Sequence, residues 1–280
     1  MLSSPDLSTY TNLVIVCCHA IYLGSRSTPD ADPYDEIAWL LQHFQKSTAT
    51  KQSEHETFIH HVTTGLNMTR TGAWRNKSIL VISGGRTKRN ITELSESESY
   101  YHALLHTSDE VRSHAQQAFT AGTLLLEEHA TDSYQNLLFS IIAFRKRTGR
   151  YPGSIRVVTH AFKARRFLEL HANAIRWPKK SITVSGIDPP MDWDEYTVTT
   201  SGEASKGYMP WTDDPHGVRN VLSEKRRARG WDPTVKVLLA QGLESSVQDL
   251  VHWNGGLEGN LPFPQEKKLV WELDCHADGL

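Results

Sequence analysis

Five short apolar runs punctuate the first part of this chain, and their character limits the fold more than any other feature. They occupy residues 13–18, 79–83, 123–126, 155–159 and 182–185. Several are rich in valine and isoleucine and lack polar alternation, as in strands buried on both faces. Between them the apolar spacing shifts to the helical period. Ile37, Leu40, Leu41 and Phe44 fall at i, i+3, i+4, i+7 and predict a helix. Tyr134, Leu137, Leu138, Ile141 and Ile142 predict a second, and Ala164, Phe167, Leu168 and Ile175 a third. Buried strands alternating with amphipathic helices imply an α/β fold: a mainly parallel sheet of about five strands with helices on both faces.

The chain has 280 residues, enough for a substantial core without staples. Its formal net charge of −2 supplies no global attraction for nucleic acid. The three cysteines, Cys17, Cys18 and Cys275, form neither a disulfide framework nor a CxxC metal pattern. They read as buried thiols in a reducing, cytoplasmic setting. Cys17 and Cys18 are strand neighbours and should face opposite sides of the sheet. No apolar run approaches the roughly 18 residues of a membrane span. The run at 13–23 lacks the preceding cationic residues and the cleavage site of a secretory leader, so it is expected to be the first core strand.

From Pro189 the pattern changes. Five tryptophans (Trp193, Trp211, Trp231, Trp253 and Trp271) and several prolines appear, with no further buried-strand run. The stretch "VRNVLSEKRRARGW" reads as a basic helix. The expected organisation is therefore an α/β unit over 1–188 and a Trp-rich, mostly helical and loop extension over 189–280 that packs on it.

In a parallel sheet, ligands bind beyond the carboxyl ends of the strands. Four loops are thus singled out. After the first strand comes His19, then Gly24, Ser25 and Arg26. After the second comes Ser83-Gly84-Gly85, which predicts close backbone approach, positive φ and an anion-binding nest, with Arg86 adding charge. Downstream, Ser95-x-x-Glu98 fits a capping box. Glu96 is not needed for that cap and is the better site candidate. After the third strand come Glu127 and Glu128, then Asp132-x-x-Gln135, with Asn136 in the first helical turn. After the fourth come Thr159, His160, Lys163, Arg165 and Arg166. Cations at a helix start oppose the helix dipole unless an anion sits among them. Lys163 and Arg166, three apart, share a face.

These blocks, "SGGRT" with "SESES", "EEHATDSYQN" and "VTHAFKARR", resemble in order those of the YdcF/SanA/ElyC-like family, known as domain of unknown function 218. The resemblance spans about residues 12 to 187. It implies a Rossmann-like sheet and carries the family's "SEA" glutamate onto Glu96, its E-x-x-S glutamate onto Glu127, its "EN" asparagine onto Asn136 and its last-block arginine onto Arg166. The chain departs from the pattern at Ser97, Ala130 and Gln135. It has Lys163 where the family has histidine, and Cys18-His19 where glycine is usual. A bacterial member is associated with S-adenosylmethionine, and no reaction is generally established. The anchor-free chain with an extended C-terminus looks most like fungal members.

The resulting expectation is an enzyme, hydrolase or transferase, or a binder. Its ligand would be a small anionic or zwitterionic molecule such as a nucleotide, a phosphate ester or an S-adenosylmethionine-like compound. Glu96, Glu127 and His19 are the candidate catalytic groups. Ser83, Gly84, Gly85, Arg86, Asn136, Thr159, His160, Lys163 and Arg166 are the candidate ligand contacts. One alternative is metal-assisted phosphoric-ester hydrolysis with His19, Glu96, Glu127 and His160 converging on a divalent ion. Another is a non-catalytic scaffold presenting the tryptophans. No G-x-G-x-x-G, G-x-x-x-x-G-K-[ST] or G-x-S-x-G motif is present.

Overall fold

The computed structural model describes residues 6–24 and 31–273. Ser25, Arg26 and Cys275 lie outside them. All five apolar runs form strands: β1 (Asn12–Cys17), β4 (Ser78–Ser83), β5 (Leu124–Glu127), β6 (Ser154–Thr159) and β7 (Ile182–Gly186). They make one wholly parallel sheet in the order β5-β4-β1-β6-β7. Counted by chain order within the sheet, this is 3-2-1-4-5, the doubly wound arrangement. The two short remaining strands, β2 (Ile21–Tyr22) and β3 (Trp39–Leu40), pair antiparallel with each other.

Side-chain alternation along β1 assigns the two faces. Leu13, Ile15 and Cys17 share one buried cluster with α4 (Ser133–Thr148) and with Phe167, Ala172 and Ile175. Val14, Val16 and Cys18 share the other with α1 (Glu54–Met68), α2 (Glu96–Leu105) and Ala115 of α3 (Asp109–Ala121). The adjacent cysteines therefore do face opposite sides. Both are buried, and burial pushes both thiols up, that of Cys17 to about 12.

The helix expected over Ile37–Phe44 is not formed. Short 3-10 turns at Glu36–Ala38 and His43–Gln45 flank β3 instead, and Ile37 and Phe44 are exposed. Trp39 wins the competition: strand pairing opposite Tyr22 buries its ring against Tyr22, Phe58 and Tyr100. The helix that covers this face is α1, whose buried Phe58, Ile59, Val62 and Leu66 are interrupted by histidines and threonines. The third expected helix forms in an unusual way. Arg166–His171 is π-helical and runs on into the short α5 (Ala172–Ala174).

Among the described residues beyond 189 the chain is helix and loop and contributes no strand to the sheet. It comprises α6 (Trp193–Gly202), a π-helical stretch Glu203–Tyr208, α7 (Met209–Asp213), α8 (Asn220–Ala228), α9 (Val235–Ala240), α10 (Ser245–His252) and α11 (Val270–Leu273). Trp211, Leu222, Val247, Phe263 and Trp271 join the cluster that contains Leu13 and Ile15. This extension covers α4, most of whose residues are consequently buried. Trp231 stacks on Phe139, Trp253 meets Phe263 edge-on, and Trp271 donates its indole N–H to the Ile175 carbonyl. Of the five tryptophans, Trp193 is the one left largely exposed.

Candidate functional site

Strand order reverses between β1 and β6, so the crevice beyond their carboxyl ends is where this topology places ligands. His19 follows β1 and Thr159 ends β6. Their side chains meet across the gap, His19 Nε2 lying 3.2 Å from Thr159 Oγ1. Lys163 Nζ lies 3.3 Å from His19 Nδ1. Burial, then the charge of Lys163, hold the His19 imidazole well below its ordinary pKa, so the ring is neutral. A neutral ring facing an ammonium must accept through Nδ1, which leaves its proton on Nε2 to be donated to Thr159. The His19 backbone N–H donates to Tyr100 Oη (3.1 Å), fixing the residue at the crevice floor.

Two further imidazoles lie behind it. His160 packs 4.7 Å from the His19 ring and 5.1 Å from that of His61. Burial keeps all three neutral, lowering His61 to about 3. His61 Nε2 donates to the Ile187 carbonyl (2.8 Å). Neither ring nitrogen of His160 has a hydrogen-bond partner among the described residues, and the Glu54 carboxylate stands 3.6 Å from its Nε2. Glu54 is itself paired with Lys51 at 3.0 Å, both side chains being buried.

The loop after β4 differs from its sequence expectation. Neither Gly84 nor Gly85 has positive φ. Their N–H groups are also taken by the chain itself: Gly84 donates to the Glu127 carbonyl (2.9 Å) and Gly85 to the Ala130 carbonyl (2.7 Å). The predicted anion nest is therefore not formed. The glycines serve close packing. A Cβ on Gly84 would lie 2.7 Å from Cys18 Cβ and 2.8 Å from Glu96 Cβ, and one on Gly85 would lie 2.9 Å from the Ala130 oxygen. The loop carbonyls in turn accept the N–H groups of Glu96 and Ser97, sewing α2 to the end of β4. Ser95 accepts the Glu98 N–H (2.9 Å), one half of the expected capping box, and the Glu98 side chain does not return the bond. Ser97, where the family pattern has alanine, satisfies its buried hydroxyl by donating to the Ile82 carbonyl (2.7 Å).

Ser83, Glu127 and Asn136 form a closed polar knot beside this loop. Glu127 accepts from Ser83 Oγ (2.6 Å) and from the N–H groups of His129 (2.7 Å) and Ala130 (3.1 Å). Asn136 Nδ2 donates to the carbonyl and hydroxyl oxygens of Ser83. Glu127 is buried, and burial raises its carboxyl to about 7 against the pull of those donors. Its geometry ties β5 to β4. Arg86 turns outward, donating to the Glu93 carbonyl (2.9 Å) and meeting Glu128 at 3.4 Å.

The cations converge where the glycine loop does not. Lys163 is partly buried, and among the described residues no carboxylate lies within 4.0 Å of its Nζ. Burial, then the neighbouring Arg166 charge, lower it to about 8. Arg166 Nε faces Glu203 at 3.3 Å, both side chains being 12% exposed. Across from them stands Glu96, which accepts from Thr87 Oγ1 (2.6 Å). Burial raises its carboxyl, while Arg229, Lys163 and Lys88 pull it back down. The structure thus brings His19, Thr159, His160, Lys163 and Arg166 together at the carboxyl ends of β1 and β6, with Glu96 within reach of the Lys163 charge. It places Ser83, Gly84, Gly85, Glu127 and Asn136 in the supporting wall and Arg86 on the rim.

Glu203, Arg229, Lys51, Glu54 and His61 were not legible as site residues. For Arg229 the signal was the basic stretch at 218–231; for the others there was none beyond residue type. Among the described residues, no three His, Cys, Asp or Glu side chains are placed to hold a metal ion, so the four-ligand convergence that the metal alternative requires is not formed.

No family model matches the chain, and no solved structure matches it. The chain is similar to the Uncharacterized protein YOR238W of Saccharomyces cerevisiae (strain ATCC 204508 / S288c), with 26% identity over an alignment that covers 78% of this chain and 82% of the yeast protein.

Proposed function

We propose that this protein binds a small anionic or zwitterionic molecule in the crevice between β1 and β6. A nucleotide, a phosphate ester or an S-adenosylmethionine-like compound would all present suitable groups. Lys163 carries this reading. An ammonium withdrawn from water is costly without a counter-charge, yet its polar contact here is the neutral ring of His19. A bound anion would supply the missing partner. Arg166 reinforces the field, and its Glu203 partner occupies the position a ligand carboxylate or phosphate would take. His19 and Glu96 then flank the ligand as an acid–base pair, a neutral imidazole that burial holds below its ordinary pKa and a carboxyl that burial raises. The reading agrees with what the resemblance to the YdcF/SanA/ElyC-like family implies.

The test is thermal unfolding of wild-type protein and of Lys163→Gln with nucleotides, sugar phosphates and S-adenosylmethionine. A ligand specific to the native state adds about 2.7 kcal/mol at a hundredfold excess over its Kd. The expected result is a rise in Tm for the wild type that Lys163→Gln loses. Equal shifts in both proteins would remove Lys163 from the site, and with it the reading.

A further inference from the structure

The carboxyl edge of the sheet is not completed by the α/β unit alone. The end of α8 is anchored against it. Arg226 Nε bonds Asp132 at 2.5 Å, and Arg229 donates to the Thr131 carbonyl at 2.8 Å, both at the start of α4. Gly230 packs against the Arg86 carbonyl and the Arg89 side chain in the β4–α2 loop, where a Cβ would stand 3.2 Å from the carbonyl. Lys225 donates to the Lys206 carbonyl (2.9 Å), within the π-helical stretch that carries Glu203. Basic residues in a last helical turn complement the helix dipole on any protein. Arg226 and Arg229 do more, because they bridge to the loops that enclose the crevice.

These contacts set the cations in two tiers. Lys163 and Arg166 form the inner tier, partly buried beside His19. Lys225 and Arg229 form an outer, exposed tier at the mouth. The fields of the tiers overlap: Arg166 and Arg229 both act on His19, Arg229 acts on Glu96, and Lys225 is acted on by Arg229 and Arg166. Of the carboxylates whose charge reaches these cations, Glu203 pairs with Arg166, Glu54 with Lys51 and Asp132 with Arg226, while Glu96 accepts from Thr87 and Asp188 from the Ala161 N–H. Among the described residues Lys163, Lys225 and Arg229 have no carboxylate within 4.0 Å of their side-chain nitrogens, and they lie at different depths. A single monoanion would neutralise one tier only.

Building on the reading above, we propose that the ligand carries two adjacent anionic groups, as a diphosphate does, with Lys163 and Arg166 holding the inner group and Lys225 and Arg229 of the C-terminal segment holding the outer.

Isothermal titration of the full chain with inorganic phosphate and inorganic diphosphate, at matched ionic strength, tests this. The wild type is expected to bind diphosphate at least about tenfold more tightly, the worth of one added charge-assisted contact. Arg229→Gln should lose about that factor for diphosphate and little for phosphate. Lys225→Gln, a second exposed site, guards against misfolding of the first variant and should act in the same direction. Equal affinity of the wild type for both anions would overturn the proposal while leaving the single-anion reading intact. So would a loss in both variants that falls alike on the two anions. Binding of neither anion to the wild type would remove both.

Discussion

Replacing Lys163 by methionine should make the protein more stable while abolishing ligand binding. The side chain is partly buried, and its pKa falls from the usual lysine range to about 8. That displacement corresponds to about 3 kcal/mol by which the fold disfavours the protonated amine. The sign follows from linkage: the group is protonated in both states at pH 7, below both pKa values, so the full penalty is present there. Between pH 8 and the unfolded value, the unfolded chain binds more protons, so wild-type stability recovers as pH rises. Methionine keeps most of the volume and removes the charge. It forfeits the hydrogen bond to His19, worth about 1 kcal/mol. The net gain is about 2 kcal/mol at pH 7, or about 3–4 °C in Tm for a chain of this length. Urea unfolding of both proteins at pH 7 and pH 10 measures it. The advantage of Lys163→Met should be large at pH 7 and shrink toward pH 10. A destabilised variant at pH 7, or an advantage that ignores pH, would show that the protein's own groups already compensate the ammonium.

Three other outcomes are expected. Gly84→Ala must force α2 away from β1, because the new methyl would meet Cys18 and Glu96 below 3 Å; the cost should be about 1–3 kcal/mol in chemical denaturation, and a neutral effect would refute the close-packing role. Glu127, raised to about 7 in the fold, contributes stability that is complete below pH 4.5 and is lost as pH climbs through 7. The loss should be about 2–3 kcal/mol, and it should vanish from the pH–stability profile of Glu127→Gln. Arg226→Ala leaves Asp132 unpaired at a largely buried contact, with side chains 7% and 13% exposed, so unfolding should become easier by about 3–5 kcal/mol. A loss under 1 kcal/mol would mean that the C-terminal segment is held by its apolar contacts alone.

The strands were legible because burial on both faces leaves no room for polar alternation, and each of the five runs became a strand of the parallel sheet. Helix α4 was legible from the helical spacing of Tyr134, Leu137, Leu138, Ile141 and Ile142, with Asp132 capping it by accepting the Gln135 N–H. The Ile37–Phe44 stripe misled because apolar spacing is blind to strand partners; the pairing with Ile21 and Tyr22 is set by a segment upstream. The glycine pair misled for a different reason. Sequence shows that a backbone can come close to something, not what it comes close to. Here the neighbours are Cys18, Glu96 and the Ala130 carbonyl rather than a ligand.

Taken by itself, the sequence determined the layer architecture and the sheet edge at which chemistry is to be sought. Both follow from local periodicity and from the fixed handedness of parallel crossovers. It also marked His19, Glu96, Lys163 and Arg166 as candidates, since each follows directly on a strand end or opens the next helix. Tertiary structure alone decided which of these face one another and which backbone donors remain free. It also decided that Glu203 pairs with Arg166 and that the basic end of α8 is held at the start of α4. Those contacts join residues far apart in the chain through packing against α4. Electrostatic partnership depends on distance in space, which no spacing along the chain encodes.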